Sequence, residues 1–219
     1  MIFINFKTYE QGTGDNAEAL VQTIESIAES SHVKLIPVVQ AVDLATIAST
    51  TKLEVWIQKV DSIDFGAHTG ATLPESALEA GAIGTFLNHS ENKIASFEEL
   101  TKTHMRAKEV GLKTLIFASS LTEFKKILTL KPDFIAYEPE ELVGSSEKSV
   151  ASERPEIITD AFNLSKEQGI PLIVGAGIHS REDIKTSLNL GASGFAVASD
   201  ILKAHDPKAE LLDLIEGYN

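Results

Sequence analysis

Eight short apolar runs, many of them β-branched, recur along the chain: IFINF (2–6), VKLIPVV (33–39), EVWIQKV (54–60), AIGTFLN (82–88), KTLIFA (113–118), DFIAY (133–137), PLIVGA (171–176) and SGFAVAS (193–199). They are nearly continuous in apolar residues, the pattern of parallel strands covered on both faces. Helical spacing fills the gaps between them. In residues 15–30, Leu20, Val21, Ile24, Ile27 and Ala28 share one face, with Asp15 as the expected N-cap. Similar patterns occupy 98–111, 120–130, 154–168, 181–190 and 207–217, and weaker ones follow the second and third runs. Strands alternating with helices require right-handed crossovers and a parallel sheet. Eight such units in 219 residues predict an α/β chain closed into a (β/α)8 barrel, with an open doubly wound sheet as the alternative. No linker, repeat or low-complexity stretch interrupts the alternation, so residues 1–219 read as a single domain.

Charge and composition narrow the function. The formal net charge is −13, from 32 acidic and 19 basic residues. That argues against a nucleic-acid partner, which needs a basic face. It leaves room for a small anionic ligand held by backbone N–H groups and one or two lysines. There is no cysteine, hence neither a disulfide framework nor thiolate chemistry. No apolar run reaches the ~18 residues of a membrane span, and the opening MIFINFKTYE lacks the features of a signal peptide. A cytoplasmic enzyme is the expectation.

In a barrel of this kind the chemistry gathers at the C-terminal ends of the strands. Asn5 and Lys7 alternate with Phe6 after the first strand, so they share one side of the strand end. They are either polar groups turned into the barrel mouth or simply the point where a strand leaves the core. His89 follows the fourth strand, and Ser90 is placed to cap a helix after it. The positive end of a helix disfavours the protonated imidazole, and a neutral ring can donate to a carbonyl. The plainer reading is a satisfied loop histidine. Glu138 ends the apolar run DFIAY and precedes Pro139 and a polar stretch holding Gly144, Ser145 and Ser146. A carboxylate at a strand end in a partly dry mouth suits a general base, and the stretch after it reads as a lid. An acidic surface turn is the alternative. VGAGI (174–178) and VASDI (197–201) follow strands seven and eight. Paired turns there form a phosphate cradle in many barrels, although glycines also serve merely to make tight turns.

Taken in order, N-F-K-T-Y (5–9), G-A-H-T-G (66–70), L-N-H-S-E (87–91), Y-E-P-E-E-L-V-G (137–144), G-A-G-I (175–178) and the A-S turn (198–199) resemble triosephosphate isomerase of the short archaeal type. The resemblance implies a TIM barrel that interconverts D-glyceraldehyde 3-phosphate and dihydroxyacetone phosphate, a step of glycolysis and gluconeogenesis. It implies that Glu138 moves the carbon-bound proton, that neutral His89 polarises the carbonyl oxygens, and that Lys7 stabilises the developing negative oxygen. Asn5 would orient substrate and Glu91 would sit near Lys7. Gly144 and Ser145 of the lid, Gly175, Ala176, Gly177, Ala198 and Ser199 would hold the phosphate, together with Asn5 and Lys7. Neither a metal nor an organic cofactor is implied. Thr69 would reach into a neighbouring subunit, implying a homodimer or homotetramer. Some positions depart from the family pattern. Ser146 replaces a lid glycine, Lys59 stands where His or Asn often follows the glutamine, and the strand-five cysteine is absent. Asp200 occupies the place of a small residue, where a carboxylate facing a phosphate would repel it. Another phosphate-binding barrel, or a non-catalytic relative, remains an alternative reading.

Overall fold

The computed structural model describes residues 1–138 and 155–219. Its strands are β1 (Ile2–Asn5), β2 (Leu35–Val39), β3 (Trp56–Ile57), β4 (Gly84–Leu87), β5 (Lys113–Ala118), β6 (Phe134–Tyr137), β7 (Leu172–Val174) and β8 (Gly194–Val197). All neighbours pair in parallel, and β1 pairs with both β2 and β8, so the sheet closes into a barrel. The open-sheet alternative is thereby excluded. Helices among the described residues are α1 (Gly14–Ala28), α2 (Leu44–Thr50), α3 (Pro74–Glu79), α4 (Phe97–Glu109), α5 (Leu121–Leu128), α6 (Pro155–Glu167), α7 (Arg181–Asn189), α8 (Ser199–Leu202) and α9 (Pro207–Glu216). Among these residues no helix is long and apolar enough to cross a membrane.

Strand alternation divides the apolar residues into two cores. Ile2 and Ile4 of β1 point outward and pack with the helix faces, for example Leu20, Val21 and Ile24 of α1. Phe3 points inward, into a cluster with Ile36, Val38, Trp56, Phe86, Leu115, Phe117, Ala136 and Ile173. Its aromatic rings meet edge to face: Phe3 and Trp56 lie 5.0 Å apart, and Phe86 and Phe117 4.9 Å. This filled interior makes the barrel a solid support for whatever lies above it.

Helix starts repeat one device. Ser96, Ser120 and Ser180 accept the backbone N–H of Glu99, Glu123 and Asp183 respectively, satisfying a first-turn donor of α4, α5 and α7. Two expected caps are corrected. Thr13 precedes α1 and Asp15 lies inside its first turn, where an acid complements the helix dipole. Ser90 begins a 3-10 turn (Ser90–Asn92) whose N-cap is His89. The expected strand at 54–60 shrinks to Trp56–Ile57, because the chain diverges after Gln58 to form the loop to α3.

Gly84 shows how little slack the interior has. A Cβ there would stand 2.6 Å from the Trp56 ring. Gly84→Ala is therefore expected to destabilise the fold by about 1–3 kcal/mol, through overpacking. Urea unfolding followed by Trp56 fluorescence measures this, and an unchanged midpoint would contradict it.

Candidate active site

The inward face of each strand continues upward into the barrel mouth. On β1, Asn5 follows Phe3 at a spacing of two, and on β6 Glu138 follows Phe134 and Ala136. Glu138 still belongs to the ladder: its N–H donates to the Ala118 carbonyl at 2.9 Å. Its carboxylate is thus carried on backbone anchored to the neighbouring strand. Asn5, Lys7, His89 and Glu138 line one hollow with Phe86 and Phe117 at its base. The hollow is partly open to solvent.

Lys7 has φ +47°, a left-handed conformation that is uncommon for a residue with a side chain. Two side chains hold it there. The Lys7 N–H donates to Asn5 Oδ1 at 3.0 Å, and Gln58 Nε2 donates to the Lys7 carbonyl at 2.8 Å. The ammonium then reaches Glu91, with Nζ 2.8 Å from Oε1. Gln58 was not among the expected site residues. Its only sequence signal is its parity with Trp56, which turns it toward the barrel mouth.

His89 is held from the strand side by Asn88, also left-handed at φ +60° and buried. Asn88 Nδ2 donates to the Phe117 carbonyl and to Glu123, and its Oδ1 accepts the Ile94 N–H. His89 Nδ1 accepts the Glu91 N–H at 3.2 Å. A backbone N–H can only donate, so Nδ1 is unprotonated and the proton of the neutral ring sits on Nε2. Nε2 lies 3.4 Å from Glu138 Oε1. The ring rests edge-on against Phe117, with centroids 4.8 Å apart.

Burial dominates the electrostatics of this pair. It pushes the Glu138 carboxyl up from 4.5 to about 7, against the opposing pull of the Ser90 hydroxyl and amide and of Lys7, with Glu91 adding to the rise. The Ser90 N–H lies 3.3 Å from Oε2. Burial also pushes the His89 imidazole well below its ordinary range, helped by Lys7 and Lys93 and opposed by Glu91. Both shifts favour the uncharged forms, as expected where low polarity penalises each ion.

The far wall of the hollow is made by two turns, Gly175–His179 after β7 and Val197–Asp200 after β8. Gly175, Ala176, Gly177, Ala198 and Ser199 all line it. Gly177 has φ +63°, a conformation that suits glycine. Asp200 is in the first turn of α8, and its Oδ1 lies 2.8 Å from His179 Nδ1. Arg181 takes no part: it pairs with Asp213 and Glu216 on α9. Gly144, Ser145, Ser146 and the lid to which they were assigned lie outside the described residues. Thr69 is exposed and is not among the residues that line the hollow. Among the described residues, no group of three His, Cys, Asp or Glu is arranged to hold a metal ion.

An eight-stranded parallel barrel with a polar hollow at the C-terminal rim places the chain among the TIM barrels. The family profile described as "Triosephosphate isomerase" matches residues 1–218. Curated relatives with that name are 38% identical in Methanobacterium bryantii, over 98% of this chain and 95% of the relative. The figures are 39%, 98% and 94% in Saccharolobus solfataricus, and 38%, 98% and 93% in Sulfurisphaera tokodaii. The chain belongs to the triosephosphate isomerase family.

A raised carboxyl has a consequence for stability. Between pH 4.5 and about 7 the folded chain keeps on Glu138 a proton that the unfolded chain has released. Stability therefore falls as pH rises through that window, and the penalty is complete above pH 7. Glu138→Gln removes it. The variant is expected to gain up to about 3 kcal/mol at pH 8 and little at pH 4, as urea titrations at the two pH values would read. An equal gain at both would contradict a dry carboxylate.

Proposed function

We propose that this hollow is where D-glyceraldehyde 3-phosphate and dihydroxyacetone phosphate are interconverted, with Glu138 as the base. The reaction itself follows from the family. The observation that carries the assignment is the 3.4 Å approach of a buried carboxylate to a neutral imidazole that bears its proton on Nε2. Glu138 removes a proton from the carbon next to the carbonyl. His89 Nε2–H donates to the carbonyl oxygen and, as the enediolate forms, moves protons between its two oxygens. Glu138 returns the carbon-bound proton to the adjacent carbon, so the product is an isomer and the enzyme is unchanged.

Lys7 offsets the negative charge that develops on oxygen. Glu91 keeps its ammonium in place, and Asn5 and Gln58 hold the backbone from which it projects. The substrate phosphate sits against the two turns after β7 and β8, where Ala176, Gly177, Ala198 and Ser199 offer backbone N–H groups and Gly175, whose own N–H is given to the Tyr137 carbonyl, lines the wall beside them. Gly144 and Ser145 complete that cradle in this reading. A neutral imidazole suits this task better than an imidazolium. It is a weaker acid, closer to the enediolate oxygens, so proton exchange with them is nearly balanced.

Assembly belongs to the same proposal. The loop between β3 and α3 is tied down at its base: Arg106 pairs with Glu75 and donates to the Ile63 carbonyl, and the Thr72 N–H donates to Asp61. Its tip is left outward, with Phe65 78% exposed and Thr69 exposed. A second copy of this chain, received around Thr69, would cover that apolar tip and bring it to the rim near Lys7 and Glu91. We place residues 1–219 in one domain of a cytoplasmic homo-oligomer. Sedimentation at micromolar concentration is expected to show at least a dimer, weakened by Phe65→Asp; a monomer would contradict this.

The chemical roles are tested by turnover of dihydroxyacetone phosphate. Glu138→Gln is expected to lower kcat by about 10²- to 10⁴-fold, the usual range for a lost base. Lys7→Ala should lower kcat and raise KM together, by about 10²-fold or more in kcat/KM. In the unaltered enzyme kcat/KM should fall about tenfold per pH unit below the Glu138 value near 7, because the protonated carboxyl is no base. Full activity in Glu138→Gln would end the assignment.

A further inference from the structure

Asp200 is at odds with a phosphate site. It lines the same hollow as Gly177 and Ser199, on the wall where the proposed cradle accepts a dianion. Two like charges a few ångströms apart, partly shielded from water, repel by an amount that matters to binding. Yet the carboxylate is not loose. Oδ1 is held by His179 Nδ1 at 2.8 Å, and Oδ2 lies 3.5 Å from the Ser199 hydroxyl. His179 belongs to the opposite turn, so the contact ties the turn after β7 to the first turn of α8.

Other charges around this pair are mostly negative. Asp183 of α7 accepts the His179 backbone N–H at 3.1 Å. On α9, burial pushes the Glu210 carboxyl up, and Asp213 and Asp200 push it the same way. Arg181, the nearby guanidinium, is committed to Asp213 and Glu216. Among the described residues, His179 is therefore the basic side chain recorded in contact with Asp200. The imidazole's other nitrogen, Nε2, is buried without a hydrogen-bond partner among those residues. Among the described residues, the ring's one side-chain hydrogen bond is thus the one to Asp200.

We propose that His179 is a positioning residue: its Nδ1–H holds the Asp200 carboxylate against the turn after β7 and keeps that charge out of the phosphate cradle. This rests on the hollow binding a phosphate, as argued above. In this reading His179 acts on Asp200 and not on the reacting carbons. Its loss should weaken binding of the anion while leaving the chemical step intact, and only while Asp200 carries a charge.

A double-mutant cycle reads this, with KM for dihydroxyacetone phosphate and the affinity for inorganic sulfate, measured calorimetrically, as the two signals. His179→Ala is expected to raise KM and weaken sulfate about tenfold, with kcat changed less than about twofold. In an Asp200→Asn background the same replacement should change both by less than about twofold, the mark of coupled sites. His179→Asn, whose amide N–H can replace Nδ1–H, should stay within about threefold of the parent. Equal losses in both backgrounds, or no loss in either, would overturn the proposal. So would an increase in KM above about threefold in Asp200→Asn alone, a variant that stays informative if His179→Ala does not fold. Sulfate binding without turnover in the unaltered protein would defeat the assigned reaction and leave the latch testable; turnover with an uncoupled cycle would defeat the latch alone.

Discussion

Taking a carboxylate out of water is unfavourable, and the rim of this barrel is built around one that has been taken out. Glu138 is 4% exposed, at a position the strand ladder fixes through its own N–H. Its carboxyl therefore holds its proton more tightly, and the adjacent imidazole holds its own less tightly, for the same reason. On α4 the exposed Glu98 carboxyl moves the other way, pulled down by its hydrogen bond to the Lys102 ammonium. Matching a carboxyl to the working range of an enzyme thus needs depth and rigidity more than any special neighbour.

Rigidity comes from below. The aromatic cluster of Phe3, Trp56, Phe86 and Phe117 fills the barrel to the level of the hollow, and Phe117 touches the His89 ring directly. Local strain sits at the same level. Lys7 and Asn88, two of the three non-glycine residues with positive φ among the described residues, flank the site, and each is held by hydrogen bonds to other elements. Such conformations persist only where surrounding bonds over-determine them. The His179–Asp200 contact works the same way on the opposite wall. It is a bond between two turns that sets where a charge stands.

Much of this was legible in the chain. Continuous apolar runs separated by amphipathic stretches point to parallel strands with helices outside, and all eight runs are strands. Boundaries drifted where local signals conflict: EVWIQKV reads as seven strand residues but pairs over two, since Gln58 and Lys59 already belong to the departing loop. Asn5, Lys7, His89 and Glu138 were singled out because each is a polar group at the end of an apolar run, and they do line one hollow. Gln58, Asn88 and Ser90 carry no such mark as positioning groups. A glutamine in a strand, an asparagine before a histidine and a serine after it are common. Their importance lies in partners 51, 29 and 48 residues away. Asp200 stood out as a misfit, but its partner His179 did not.

By itself, the sequence determined the order of elements and the parity of each strand. Alternation along a strand is a property of the backbone, so knowing that Phe3 and Ala136 face inward places Asn5 and Glu138 above them. What the sequence left open is what depends on distance between strands: that His89 Nε2 comes to 3.4 Å from Glu138, and that Asp200 is tied to His179. Those contacts follow from barrel closure, which brings β1 beside β8 and sets the stagger of every strand. The burial that shifts the two ionisable groups is likewise the sum of many neighbours. No single residue encodes it, and only the folded chain produces it.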